Sequence, residues 1–329
     1  MLHPSPVSVG IDVSKDTLAV AIRFPNHEDA LVVPNTVHGI TALWRALKSC
    51  SCPVIMESTG RYHLLSAFLL SEKGYDVRVV NPIQAKRYVA ASIRKVKSDR
   101  ADASALAQMG VTEQRLPPCF ASSKREILIR QKVGLLSSLE KQLQALRATF
   151  QGNTESHEAP SLPLGKIERR MEKLLEKLQK EKDNLAKEII ALIAEDEERR
   201  KVQDLVCTVP DVSLLTGSFL SQFLRKECVS PKQWVAFVGL DVSVRESGTW
   251  KGRGRLSKRG NAYLRKRLFS AAWGAAMNHK QFHAYYERLK EEGHAHREAL
   301  VIIARKILRI AFAVLKNGTL FSPDLCVFS

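Results

Sequence analysis

Residues 7–24 read VSVGIDVSKDTLAVAIRF. Two apolar, β-branched runs, Val7 to Val13 and Thr17 to Phe24, flank a Ser14-Lys-Asp16 turn and predict a pair of buried strands. Working outward, Ala30 to Val33, Pro53 to Met56 and Asp76 to Val80 read as three further short strands. Helical patterns cover His38 to Lys48, Tyr62 to Lys73, Pro82 to Ala90 and Asp99 to Met109. Three strands in succession followed by helix–strand alternation predict an α/β fold for this part of the chain.

Four carboxylates in this region stand out. Asp12 interrupts an apolar strand between Ile11 and Val13, and Glu57 ends the buried run PVIM. Asp99 and Asp102 lie three apart at the start of a helix, hence on one face. A carboxylate within a buried strand is costly unless it is paired or metal-bound. Oxygen ligands of this kind suit magnesium or manganese, and two such ions flanking a phosphodiester stabilise its attacking and leaving oxygens. Taken singly, Asp99 also reads as a helix cap, Asp102 as a partner of the helix dipole and Glu57 as a strand-end turn residue.

From Ser123 to about Arg200 the pattern is helical. Leu136, Leu139, Leu143, Leu146 and Phe150 form a seam at alternating three- and four-residue spacing. After a break at Gly152 to Gly165, Met171, Leu174, Leu178, Leu185 and Leu192 continue a similar seam, which predicts a coiled-coil arm. Beyond Val202 a third, mostly helical region includes Pro231 to Val238, Asn261 to Met277 and Arg297 to Leu315. Leu205 to Val209, the turn Pro210-Asp-Val-Ser213 and Leu214 to Leu224 read as helix–turn–helix, resembling a helix-hairpin-helix without its usual glycines. The predicted domains are 1–122, 123–201 and 202–329.

The 329 residues carry 51 Lys+Arg against 34 Asp+Glu, a formal net charge of +17, which predicts a polyanionic partner. Residues 230–329 hold 18 bases and 7 acids, and are the main source of the excess. The densest window contains Arg245, Lys251, Arg253, Arg255, Lys258, Arg259, Arg265, Lys266 and Arg267 against Glu246 alone, with Trp250 and Tyr263 as stacking surfaces. No apolar run is long enough to span a bilayer, and the N-terminus lacks the pattern of a secretory signal. Six scattered cysteines read as reduced thiols and give no zinc spacing, so a cytoplasmic location is expected.

The segments GIDVSKDTLAV, ESTGRY, VVNPIQAKRY and KSDRADASALA, in this order, resemble the DEDD insertion-sequence transposases. A second block, Trp234 to Leu268, resembles the same family through Ser247-Gly248 and Ser257-Lys-Arg-Gly-Asn261, although Gly239-Leu-Asp241-Val-Ser243 lacks the family's proline. The resemblance implies a ribonuclease H-like (RuvC-like) domain whose metal site, for magnesium or manganese, is Asp12, Glu57, Asp99 and Asp102. It implies a C-terminal transposase domain whose Ser247 attacks the scissile phosphate, with Ser243 and Ser257 as fallback candidates. On composition alone Ser247 reads as a turn residue and Ser257 as a cap for the following helix.

Arg245, Lys251, Arg253, Arg255, Lys258, Arg259, Asn261 and Arg265 are then the expected nucleic-acid contacts. Related members choose donor and target DNA with a structured bridge RNA, so donor DNA, target DNA and such an RNA are the expected partners. Cutting and rejoining two duplexes breaks four strands, which implies a homo-oligomer, a dimer assembling to a tetramer on DNA. The alternatives are a metal-dependent junction-resolving endonuclease that uses water as nucleophile, and a non-catalytic nucleic-acid scaffold.

Overall fold

The computed structural model describes residues 5–47, 51–58, 60–91, 98–154, 166–223, 230–243, 246–247, 250–251 and 254–323. The chain divides into two compact units, Met1–Gln131 and Lys132–Ser329.

The first unit is built from β1 (Ser8–Val13), β2 (Thr17–Arg23), β3 (Glu28–Pro34), α1 (Val37–Leu47), β4 (Pro53–Glu57), α2 (His63–Glu72), β5 (Asp76–Val80), α3 (Pro82–Ala91) and α4 (Asp99–Thr112). Its five strands form one mixed sheet in the order β3-β2-β1-β4-β5. The β1–β2 and β2–β3 pairs are antiparallel, whereas β4 joins β1 in parallel and β5 joins β4 in parallel. The hairpin expected at Ser14-Lys-Asp16 is present, and β3 begins two residues earlier than its apolar run suggests, because it pairs with β2 along its full length.

Side chains alternate across a strand, so each strand serves two faces. On one face Val9, Ile11 and Val13 pack with Leu18, Val20, Val54 and Met56 under Ile40 and Leu43 of α1 and Ala67 and Leu70 of α2. The other face is occupied by α4, through a cluster of small residues, Ala19, Ala21, Ala103 and Ala107. Small side chains are what the close approach demands. A Cβ on Gly10 would lie 2.0 Å from Ala103 O and 2.3 Å from Ala107 N, and one on Gly110 would lie 2.1 Å from Ser8 Oγ.

The second unit takes in most of α5 (Lys124–Thr154), then α6 (Lys166–Ala194), α7 (Glu197–Val206), α8 (Leu214–Phe223) and α9 (Pro231–Val238). Four two-residue strands follow, β6 (Val242–Ser243), β7 (Glu246–Ser247), β8 (Trp250–Lys251) and β9 (Arg255–Leu256), and then α10 (Ala262–Asn278), α11 (Lys280–Glu291) and α12 (His296–Asn317). Bonds from Lys132 to Glu188 and from Arg147 to Gln179, the latter 2.9 Å, run α5 and α6 antiparallel. Leu136 and Leu143 of the expected seam are buried, but in α6 the buried positions are Ile189 and Ile193, while Leu174 is 43% exposed. Leu178, Leu185 and Leu192 of the expected seam are half-buried, on the same side of α6 as Ile189.

α12 buries Ile303, Ala304, Ile307, Leu308, Ala311 and Val314, an amphipathic core helix packed against α10 and α9. Among the described residues no helix is long and apolar enough to cross a membrane.

Candidate active site and nucleic-acid interface

Strand periodicity and helix placement bring the four predicted acids to one corner of the sheet. Asp12 shares the α4-facing side of β1 with Ser8 and Gly10. Glu57 ends β4 on the side of Ile55, one step beyond the Ile11–Met56 pair and therefore beside Asp12. Down β1, Ser8 meets Gly110 and Gly10 meets Ala103 and Ala107, so α4 runs antiparallel to the strand and its first turn arrives at Asp12. That turn carries Asp99 and Asp102. Ser98 caps the helix, its Oγ accepting from Ala101 N–H at 3.2 Å, so neither aspartate is consumed as the cap.

The electrostatics follow from this convergence. The Asp12 carboxyl is pushed up to about 6, first by burial and then by the negative charges of Asp99, Asp102 and Glu57. The donors are all carboxylate oxygens, a set whose chemistry fits a hard divalent cation such as Mg2+ or Mn2+. Among the described residues no three His, Cys, Asp or Glu side chains form a ready-made site for one ion. What the geometry provides is Asp12 within Coulombic reach of Asp99, Asp102 and Glu57, from two strands and one helix turn.

Between α9 and α10 the described residues of the basic block form two short antiparallel strand pairs, which helical periodicity did not foretell. Val242 and Ser243 pair with Leu256 and Arg255, and Glu246 and Ser247 pair with Lys251 and Trp250. The Ser247 backbone thus sits in β7, while the side chains of Ser243, Ser247, Trp250 and Lys251 fall outside the described residues, as do Arg245 and Arg253 altogether. Arg255, Lys258 and Arg259 are exposed.

The Ser-Lys-Arg-Gly-Asn stretch is folded back on the C-terminus of α9. Gly239 closes that helix with φ +75, and a Cβ on Gly260 would meet Phe237 O at 2.2 Å, so only glycine fits there. Asn261, not Ser257, caps α10, its Oδ1 accepting from Leu264 N–H at 3.0 Å. The Ser257 hydroxyl instead donates to the Asp241 carboxylate, and its Oγ accepts from Arg259 N–H at 3.3 Å. Arg265 Nη1 donates to Val238 O at 2.9 Å and ties α10 to α9.

Two residues counted toward the basic surface turn inward. Glu140 of α5, 10% exposed, accepts from Tyr263 Oη and from Lys266 Nζ, each at 2.9 Å, and also binds Arg267. Tyr263 is 9% exposed and carries the Arg267 guanidinium over its ring at 4.9 Å, so it is a packing residue and not a base-stacking surface. Burial raises its hydroxyl pKa further. The sequence signal for this clamp, an acid on the apolar side of the α5 seam, is too common to single out. A groove of about 460 Å3 opens beside it, lined by Gln144, Arg147, Gln179, Lys182, Lys266 and Arg267 among others.

A sequence profile described as transposase matches residues 9–153, and one described as transposase of the IS116/IS110/IS902 family matches residues 203–287, together more than two-thirds of the chain. The chain is similar to the pilin gene-inverting proteins of Moraxella lacunata and Moraxella bovis, each 23% identical over 331 residues that cover 98% of this chain and 99% of the relative. It is also similar to an insertion element IS110 uncharacterized 43.6 kDa protein of Streptomyces coelicolor, 24% identical over 130 residues, 39% of this chain and 32% of that protein. The first matched segment encloses Asp12, Glu57, Asp99 and Asp102 and the second encloses Ser247, and the chain belongs to the IS116/IS110/IS902 family of transposases, enzymes that recombine DNA.

Proposed function

We propose that this transposase excises and inserts an insertion sequence by cutting and rejoining DNA strands, with Ser247 as nucleophile and Asp12, Glu57, Asp99 and Asp102 as a metal site. The observation that carries the reading is the placement of Asp12, Glu57 and the first turn of α4 at one corner of the sheet, where the other three acids add to burial in raising the Asp12 pKa. Sheet order β3-β2-β1-β4-β5 with α4 across one face supports a ribonuclease H-like (RuvC-like) domain over 1–122. The antiparallel α5–α6 pair supports a coiled-coil arm over 123–201, leaving 202–329 as the transposase domain with a helix-hairpin-helix-like α7–α8 turn.

In the proposed chemistry Ser247 Oγ bonds to the scissile phosphorus as the strand's own P–O bond breaks. The Ser247 hydroxyl gives up its proton, and the departing deoxyribose oxygen takes one up to become a hydroxyl. One phosphodiester replaces another, so rejoining runs by the reverse attack without ATP. Arg245, Arg253 and Arg255 would stabilise the charge on the phosphate, with Lys251, Lys258 and Arg259 as the surrounding nucleic-acid surface, while Asn261 and Arg265 hold α10 in place behind it. A Mg2+ or Mn2+ ion held by the four acids would supply Lewis-acid stabilisation of phosphate oxygens. The relatives named for inverting a pilin gene support rejoining over hydrolysis, because an inverted segment must be resealed.

The charge of +17 supports a polyanionic partner, and the resemblance to bridge-RNA-guided family members is what adds an RNA to the DNA. The test is strand exchange with purified protein, Mg2+, donor and target DNA and the RNA encoded beside the gene. Exchange that follows base changes made in the RNA, and that disappears in Asp12→Asn and Ser247→Ala, is expected. Hydrolytic nicking that persists in Ser247→Ala and never rejoins would assign the chain to the water-using endonucleases.

A further inference from the structure

Asn35 follows β3 directly and belongs to no helix or strand. Its side-chain Nδ2 donates to Ser14 O at 3.0 Å and to Tyr62 O at 3.1 Å. Both partners are carbonyl acceptors, so the amide has one workable orientation, and turning its oxygen toward them would lose both bonds. The backbone N–H of Asn35 donates to Asp16 O at 2.9 Å, a third tie to the β1–β2 turn.

The two carbonyls are not arbitrary. Ser14 lies just beyond Asp12 on the exit from β1, and Tyr62 lies on the segment that leaves β4 after Glu57. Past the strand ends the backbone bonds diverge, Ser14 N–H pairing with Thr17 O and Ser58 N–H with Val80 O. Asn35 bridges them by donating one bond to each exit. The corner that carries it is closely packed. Gly39 N–H donates to Thr36 Oγ1 at 3.2 Å, and a Cβ on Gly39 would lie 2.1 Å from Pro34 O. Among the described residues Asn35 Oδ1 is buried without a hydrogen-bond partner, so the side chain's polar contribution lies wholly in its two donated bonds.

We propose that Asn35 is a positioning residue for the metal site, fixing the spacing of Asp12 and Glu57 by fastening together the two chain exits behind them. The role rests on reading these acids as metal ligands. A group that acts through the orientation of ligands changes ion affinity by roughly 10- to 100-fold when removed, whereas a merely structural residue changes stability alone.

The experiment is Mn2+ binding to the full-length protein, followed by electron paramagnetic resonance, for wild type, Asp12→Asn, Asn35→Ala and Asn35→Asp. The aspartate keeps the shape and loses the donor. Both Asn35 variants are expected to bind Mn2+ about 10-fold or more weakly. Their strand cleavage should need correspondingly more Mn2+, with the rate recovering at saturation. Wild-type affinity in folded Asn35 variants, with affinity lost in Asp12→Asn, overturns the role of Asn35 alone. Equal binding by wild type and Asp12→Asn removes the metal reading and this role with it. Should Asn35→Ala fail to fold, Asn35→Ser, which keeps one donor, decides: intermediate affinity supports the bridge and wild-type affinity overturns it.

Discussion

Asp12 owes its raised pKa, about 6, to burial first and to three other carboxylates second, and this has a consequence for stability. The folded chain holds the Asp12 proton more tightly than the unfolded chain, where the carboxyl titrates near 3.8. Protonated Asp12 therefore favours folding, fully so below the unfolded value, and the contribution disappears as pH rises through about 6. In chelator-treated protein, Asp12→Asn should raise the melting temperature by roughly 2–4 °C at neutral pH and leave it unchanged well below pH 4. Parallel melting curves for the two proteins across this range would contradict the convergence of the acids. Asp12 was legible in the sequence because a carboxylate between Ile11 and Val13 has few uses other than chemistry. Asn35 was not, since an asparagine before a helix reads as ordinary turn chemistry, and its two acceptors are distant in sequence. Tyr263 misled for a related reason: an aromatic among bases suggests stacking until Glu140, more than a hundred residues away, is brought against it.

Elements add what single residues cannot. α4 reaches the acid corner only because Gly10 leaves room for its backbone, so Gly10→Val should cost ~3 kcal/mol or more and abolish strand cleavage together with the native near-ultraviolet dichroism. A folded, active Gly10→Val protein would mean that α4 does not cross β1 at this point. The clamp at Glu140 makes a second case. Glu140→Ala leaves Arg267 and Tyr263 without their shared acceptor and should destabilise the protein by about 1–3 kcal/mol in urea, with Glu140→Gln milder. No change in either variant would reduce the clamp to a surface ion pair. The apolar runs made the five strands of the first unit readable from the sequence, whereas the cap of α4 is Ser98 and not Asp99. The two strand pairs β6–β9 and β7–β8 were hidden because two-residue strands carry no period. In α6 the isoleucines Ile189 and Ile193 are buried more deeply than the leucines of the expected seam, of which Leu174 is exposed.

At the scale of the whole molecule the excess of 51 bases over 34 acids sets how nucleic acid is held. Exposed Lys258 and Arg259 stand just beyond β9, and changing both to alanine should weaken DNA binding and flatten its salt dependence, by up to ~0.9 in logarithmic slope for each phosphate no longer neutralised. An unchanged slope would place the phosphate-binding bases elsewhere. Light scattering on the DNA complex is expected to give a dimer or tetramer, and a monomer would reject the assembly that two-duplex exchange requires. Family membership was readable from two separated motif blocks, whereas the covalent chemistry at Ser247 is a matter for direct chemical proof. The most direct measurement is peptide mapping by mass spectrometry of protein trapped on a nicked DNA substrate with Mg2+. A nucleotide mass on the peptide containing Ser247, absent in Asp12→Asn, is the predicted result. Cleaved DNA with every serine unmodified would contradict the account.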